Sequence, residues 1–239
     1  MDGLLLIAVL AAVVIAFTVS ASAGFGGSLI LVPALALVLG TKSGTALAAL
    51  LLAANNIVKV WAYRKTIPWR RAALITIIIA VGTALGALLF VAAPEKLVTI
   101  AVIVTFIVAF VAERFDLSGL RRRFGAPLLA LLSGATSGFS GTSGPLKGLA
   151  VRSLDLDRLH LVGALSVASL VGDATKTAIW TEAALIPASA YLLALAAVPL
   201  MFAATLSGRR LNSRLGERGF TGLFWLVMTG YTARLAIGL

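Results

Sequence analysis

Apolar stretches close to 20 residues long follow one another along nearly the whole chain, separated by short polar or basic connections. That length is typical of helices that cross a lipid bilayer. We predict five hydrophobic elements in each half: residues 3–22, 27–40, 43–63, 70–93 and 96–112, then residues 125–137, 142–152, 159–180, 187–207 and 219–238. Residues 1–22 could pass as a signal peptide, but their N-terminal end carries Asp2 and no basic residue, so we expect a retained helix.

The second half repeats the order of motifs in the first half. The segment AGFGGS at residues 23–28 recurs as SGFSGT at residues 137–142, and NIVK at residues 56–59 recurs as DATK at residues 173–176. Trp61 and Pro68 recur as Trp180 and Pro187, and PEK at residues 94–96 recurs as GER at residues 216–218. We therefore divide the chain into a first repeat (1–112), a cytoplasmic connector (113–123) and a second repeat (124–239).

Basic residues indicate that the two repeats are inverted. Of the 20 lysines and arginines, 15 lie in four connections, at residues 64–71, 114–123, 147–158 and 209–218, which alternating spans place on one side. The opposite side receives Lys42, Lys96 and Arg234. Because basic loops stay in the cytoplasm, we predict that both termini lie outside. Equivalent connections of the two repeats then face opposite sides, as in transporters built from inverted repeats.

Composition supports a membrane protein: 60% of the residues are hydrophobic, 12% are charged, and the mean hydropathy is +1.06. The net charge of +11 is explained by the cytoplasmic loops, so we expect no nucleic-acid partner. The absence of cysteine excludes disulfides and thiol chemistry. We predict an all-α polytopic membrane protein, made of two inverted-topology repeats of about five hydrophobic elements each, with broken or re-entrant short helices at glycine-rich turns.

The two glycine-rich turns are the candidate binding site. Each precedes a short element of about 11–14 residues, and the free N–H groups at the start of such a helix attract an anion. Inversion would bring both turns together near the midplane. The alternative is that these glycines only allow close helix packing. The candidate substrate-binding residues are Gly24, Phe25, Gly26, Gly27, Ser28, Asn55, Asn56, Lys59, Gly138, Ser140, Gly141, Thr142, Ser143, Asp173 and Lys176.

Polar residues within the third element of each half extend this site. Asp173 and Lys176 are three residues apart and could form an ion pair on one helix face. Alternatively, Asp173 carries protons, and Lys59 and Lys176 extend to the membrane surface instead of lining the pathway. The tryptophans at positions 61, 69, 180 and 225 are expected to anchor the helices at the membrane interfaces.

The segments at residues 22–33 and 137–144 resemble the half-motifs of the TauE/SafE sulfite exporter family, also called the toluene-sulfonate uptake permease family. Many relatives have a longer glycine run where this chain has Phe25. The resemblance implies a carrier in a prokaryotic inner membrane for sulfite, sulfoacetate or similar anions, with alternating access, no enzymatic activity and no cofactor or metal. A homodimer is possible, and the direction of transport and the coupling ion stay open.

Three other functions remain as alternatives. A membrane scaffold or assembly factor would show no anion flux. An anion channel could use the same helix ends and charges. The sequence GFSG at residues 138–141 is similar to the motif of rhomboid proteases, but a serine nucleophile needs a general base. We expect His160, the single histidine, to lie at the surface, so the protease is disfavoured.

Overall fold

The fold is described from a computed structural model, which defines residues 28–112, 118–142 and 145–204 and isolated positions at 11, 13, 14, 17, 222 and 229. The described residues are helical and contain no strand. The helices are α1 (Ser28–Leu39), α2 (Thr41–Tyr63), α3 (Trp69–Ala92), α4 (Glu95–Ala112), α5 (Ser118–Ser140), α6 (Pro145–Arg152), α7 (Arg158–Glu182) and α8 (Ala188–Ala204). Of the first and last predicted elements, only these isolated positions are described.

Most predicted boundaries agree with the observed helices to within about three residues, because turn residues mark them in the sequence. Pro68 immediately precedes α3, and Pro94 immediately precedes α4. Helices α1 and α2 are separated by Gly40 alone, whose φ of 87° is a backbone conformation that glycine adopts without strain. The short α1 is about 18 Å long at 1.5 Å per residue, well below the thickness of a bilayer.

Helix α5 differs from its prediction at both ends. It was expected over residues 125–137, but helical residues run from Ser118 to Ser140, with a kink at Gly125. The helix therefore begins within the segment assigned to the connector, of which residues 113–117 lie outside the described part. At its other end the helix continues through Gly138 and Phe139, which we had assigned to the turn. In this last turn the Ser140 hydroxyl donates to the Thr136 carbonyl at 2.8 Å.

Four glycines bring the backbones of α3 and α5 into direct contact. They are spaced four apart on each helix: Gly82 and Gly86 on α3, and Gly134 and Gly138 on α5. A methyl group added at any of them would lie only 2.1–2.3 Å from a carbonyl oxygen of the other helix. Small residues at this spacing allow membrane helices to pack at short range. This contact fixes the C-terminal end of α5, from which the second glycine turn departs.

Helix α2 lies at the centre and packs against α1 and α7. Its residues 44–53 are all buried, so this part of the helix is surrounded by protein on every side. Helices α3, α4 and α8 instead present apolar side chains outward. Leu74 and Leu89 on α3 and Leu195 on α8 are more than 60% exposed, and Val104 on α4 is about half exposed. A soluble protein rarely exposes apolar surface on this scale.

Two of the described helices are long and apolar enough to cross a membrane, over Thr41–Trp61 and Trp69–Ala92. Trp61 and Trp69 stand near their ends and are exposed, as expected for interface anchors. Trp180 contradicts that expectation, because it is fully buried. Its Nε1 donates to the Ala87 carbonyl at 3.3 Å and its ring lies 4.6 Å from that of Phe90, so it packs inside the protein. Trp225 lies outside the described residues.

Candidate functional site

The second glycine turn meets the beginning of α1. The hydroxyl oxygens of Ser28 and Thr142 lie 3.1 Å apart and share a hydrogen bond, although 114 residues separate them in the chain. These are the final residues of the two matching segments AGFGGS and SGFSGT, so the contact joins equivalent positions of the repeats. Gly24, Phe25, Gly26, Gly27 and Ser143 lie outside the described residues.

Gly141 forms the bend after α5. Its φ is +85°, and a Cβ atom there would lie 2.9 Å from the Thr45 methyl carbon and 3.1 Å from a Val32 methyl carbon. Both conformation and space therefore require glycine. The bend directs the Gly141 carbonyl toward the interior, where it accepts a hydrogen bond from Lys176 Nζ at 3.1 Å. The turn is thus attached to α7 through a buried lysine.

Asp173 and Lys176 form the expected ion pair, with Nζ and Oδ1 2.7 Å apart. Lys176 is 0% exposed and Asp173 is 6% exposed, so the lysine does not extend to the membrane surface. The other carboxylate oxygen of Asp173 accepts from Asn56 Nδ2 at 2.7 Å, and Lys176 also donates to Ser137 Oγ at 3.2 Å. Buried charges require such partners. Asn56 and Asp173 again occupy equivalent positions of the two repeats.

Two further lysines approach this buried pair. Lys59 is half-buried on α2 and lies one helix turn after Asn56, which donates to Asp173. Lys147 on α6 is also half-buried and donates to Ser169 Oγ on α7 at 2.9 Å. Ser169 lies four residues before Asp173 on α7, so this hydrogen bond holds the Lys147 ammonium group about one helix turn from the ion pair. The site is therefore a cluster of three cations around one carboxylate.

Sequence reasoning missed the role of Lys147, which we had assigned to a cytoplasmic connection by its place among basic residues. Its position six residues after Gly141, at the start of the short helix, was an available signal. Thr45 was missed as well. It is fully buried beside Gly141, and its hydroxyl has no hydrogen-bond partner within the described part of the chain.

Three candidates have local roles in the structure. Gly138 lies against the Thr83 carbonyl of α3, as the close-packing alternative describes. The hydroxyl of Ser140 is buried and lies within hydrogen-bond distance of the carbonyls of Thr136 and Thr142, which satisfies it inside the turn. Asn55 is buried beside Asn56 on α2. Participation of these three residues in substrate binding remains a prediction.

The geometry does not form the nucleophile–base pair of a serine protease. Ser140 is fully buried, whereas His160 is exposed and its Nδ1 lies 2.5 Å from Asp157 Oδ2. Because the two side chains make different hydrogen bonds in different environments, His160 cannot take the Ser140 proton in this structure. Within the described residues there is also no group of three histidines, cysteines, aspartates or glutamates that could hold a metal ion.

Apolar outer helices, a break before a short helix and a buried ion pair beside that break are the features of membrane transport proteins. The chain belongs to the sulfite exporter TauE/SafE family, whose model matches residues 8–235 of the 239. This family consists of membrane transporters, which agrees with the resemblance of the two half-motifs. Comparison with curated proteins and with solved structures gave no match.

Proposed function

We propose that this protein is a secondary transporter that exports small sulfur-containing anions, such as sulfite or sulfonates, across a prokaryotic inner membrane. The observation that carries the proposal is the group of three lysines near the break between α5 and α6, of which Lys176 is fully buried and Lys59 and Lys147 are half-buried. Intramembrane ionisable residues are costly and usually mark the pathway of a solute. The membership of the chain in a family of sulfite exporters supports the choice of anion.

Oxyanions match the donors available at this site. Sulfite and sulfonates present several oxygens, which accept hydrogen bonds from hydroxyls and ammonium groups. Ser28 and Thr142 supply hydroxyls where the two repeats meet, and Lys59 and Lys147 supply positive charge nearby. The start of α1 adds backbone N–H groups and the positive end of a helix dipole.

Two contacts between equivalent residues support a two-fold relation of the repeats. Ser28 contacts Thr142, and Asn56 contacts Asp173. In a two-fold arrangement a position meets its own equivalent only near the axis. An axis through the site, lying in the membrane plane, is the geometry in which two inverted halves rock around a fixed solute. The inside-negative membrane potential would then drive an anion outward without a coupling ion.

Binding measured on the purified full-length protein tests the assignment of the site. Sulfite and sulfoacetate should be titrated in detergent at matched ionic strength, followed by thermal shift and calorimetry. Thr142→Ala is expected to lower the affinity about tenfold, because a hydrogen bond to a charged group is worth about 1.5–3 kcal/mol. Thr175→Ala is the matched control, since the Thr175 hydroxyl donates to Val171 within its own helix. Equal affinity of Thr142→Ala and the parent would contradict the assignment.

Flux into proteoliposomes separates a carrier from a channel. Saturable uptake of sulfite with slow turnover supports the proposal, whereas flux at channel rates would favour the alternative of an anion pore. The absence of anion flux from vesicles that contain folded protein would overturn both functions.

A further inference from the structure

The two equivalent lysines of the repeats have different partners. Lys59 and Lys176 occupy the last position of the matching segments NIVK and DATK. Lys176 is neutralised by Asp173 and also donates to Ser137. In the first repeat, Asn56 stands at the position that corresponds to Asp173, and Ala23 at the position that corresponds to Ser137. The sequence therefore gives Lys59 neither the carboxylate nor the hydroxyl that its counterpart uses.

The positions of the charges follow from the helix faces. Ser169, Asp173 and Lys176 lie four and three residues apart on α7, so they share one face of that helix. Because Lys147 Nζ donates to Ser169 at 2.9 Å, it lies one turn before Asp173, on the side away from Lys176. Lys59 lies one turn after Asn56, which itself donates to Asp173. Helices α2 and α7 run antiparallel, because Asn56 contacts Asp173 while Thr66, just beyond α2, lies against Gly163. Lys59 therefore lies on the same side of Asp173 as Lys147, and the geometry brings two like charges together.

Two ammonium groups close together repel each other unless an anion lies between them. With all four groups ionised, three lysines and one aspartate leave a net charge of +2. Asp173 and Lys176 compensate each other directly, and within the part of the chain that the structure describes Lys59 and Lys147 form no ion pair of their own. A solute with two negative charges neutralises both of these lysines, whereas a monoanion neutralises only one of the two ammonium groups.

We infer that Lys59 and Lys147 are the anion-contacting cations of the site, that Lys176 is a positioning residue for the second glycine turn, and that the site selects dianions over monoanions. This inference rests on the proposed function, because it assigns the charge of the solute bound at the same site. The preferred solutes would be sulfite and the sulfonates that carry a second acidic group. Singly charged sulfonates and zwitterionic aminosulfonates would bind more weakly.

The test compares probes of similar size and different charge on the purified full-length protein. Sulfoacetate carries two negative charges, isethionate carries one in a molecule of similar length, and taurine carries no net charge. We expect sulfoacetate to bind about tenfold or more tightly than isethionate, and taurine to bind most weakly. Lys59→Gln and Lys147→Gln should each bring the ratio of the affinities for sulfoacetate and isethionate close to one.

Two further variants keep the test informative. Lys65→Gln makes the same change of charge at an exposed position after α2 and should leave the ratio unchanged. Lys59→Arg keeps the charge and should keep the preference for sulfoacetate, which a purely structural role of Lys59 would not require. Equal affinity of the parent for sulfoacetate and isethionate, or an unchanged ratio in both glutamine variants, overturns the inference and leaves the proposed function standing. Failure of every probe to bind overturns both.

Discussion

The ion pair of Asp173 and Lys176 should couple the stability of α7 to that of the second glycine turn. Replacing Lys176 by methionine keeps an unbranched side chain of nearly the same length and removes its charge. The Asp173 carboxylate would then retain Asn56 as a donor and lose its cation. Breaking a buried pair in this way typically costs about 3–5 kcal/mol, because a buried charge is left without compensation.

The separation of the charged atoms sets an upper limit on their coupling. At 2.7 Å, an effective dielectric constant of about 20 gives an attraction of about 6 kcal/mol. Part of this attraction is offset by desolvation, and Lys176 keeps the acceptors Ser137 and Gly141 when Asp173 becomes asparagine. We therefore expect a coupling energy of about 2–4 kcal/mol between the two positions.

A double-mutant cycle measures this coupling. The parent, Lys176→Met, Asp173→Asn and the double variant would be unfolded in mixed detergent micelles and followed by circular dichroism. The double variant should be more stable than the sum of the single losses predicts. Asp157 and His160 provide a matched control, since they have the same spacing but are exposed, and their coupling should stay below about 1 kcal/mol. Additive losses at Asp173 and Lys176, or equal coupling in the two cycles, would refute the reasoning.

Three other outcomes are expected. Gly138→Ala should destabilise the protein by about 1–3 kcal/mol in the same unfolding assay, because the added methyl group meets the α3 backbone. Gly148→Ala is the control and should be neutral or stabilising, because a methyl group there meets nothing within 4 Å. Equal losses in the two variants would contradict the packing argument. Gly141→Ala should cost at least about 1–2 kcal/mol from its left-handed backbone, and an unchanged melting temperature would contradict this. The chain contains no cysteine, so single cysteines can be introduced at the exposed positions Lys65 and Glu182. Inverted repeats would place these two connections on opposite sides of the membrane, so an impermeant maleimide added to intact cells should label Glu182→Cys and not Lys65→Cys. Labelling of both variants would contradict inversion.

The parts of the fold that the sequence could predict are those determined by nearby residues. The start of α3 after Pro68 and the start of α6 at Pro145 were marked by proline, which lacks the N–H that a helix interior would need. The pair of Asp173 and Lys176 was predicted from their spacing of three, which places both on one helix face and is independent of tertiary structure.

Features that depend on distant contacts could not be predicted in the same way. Gly138 and Gly141 look alike in the sequence, yet one packs against α3 and the other forms the bend. Only the position of the neighbouring helix distinguishes these roles. Likewise, the hydrogen bond of Lys147 to Ser169 spans 22 residues and two helices, so charge counting assigned this lysine to a loop.

The contact of Asn56 with Asp173 has a consequence for the history of the chain. If the two halves descend from one ancestral protein that paired with itself, a single gene had to provide both residues at the central contact. Two aspartates there would have placed like charges 2.7 Å apart, and two asparagines would have left the lysines without an anion. Duplication and fusion removed this restriction, because each copy could then change alone. The joined chain can hold one acid opposite one amide, an arrangement that an identical pair of subunits cannot encode.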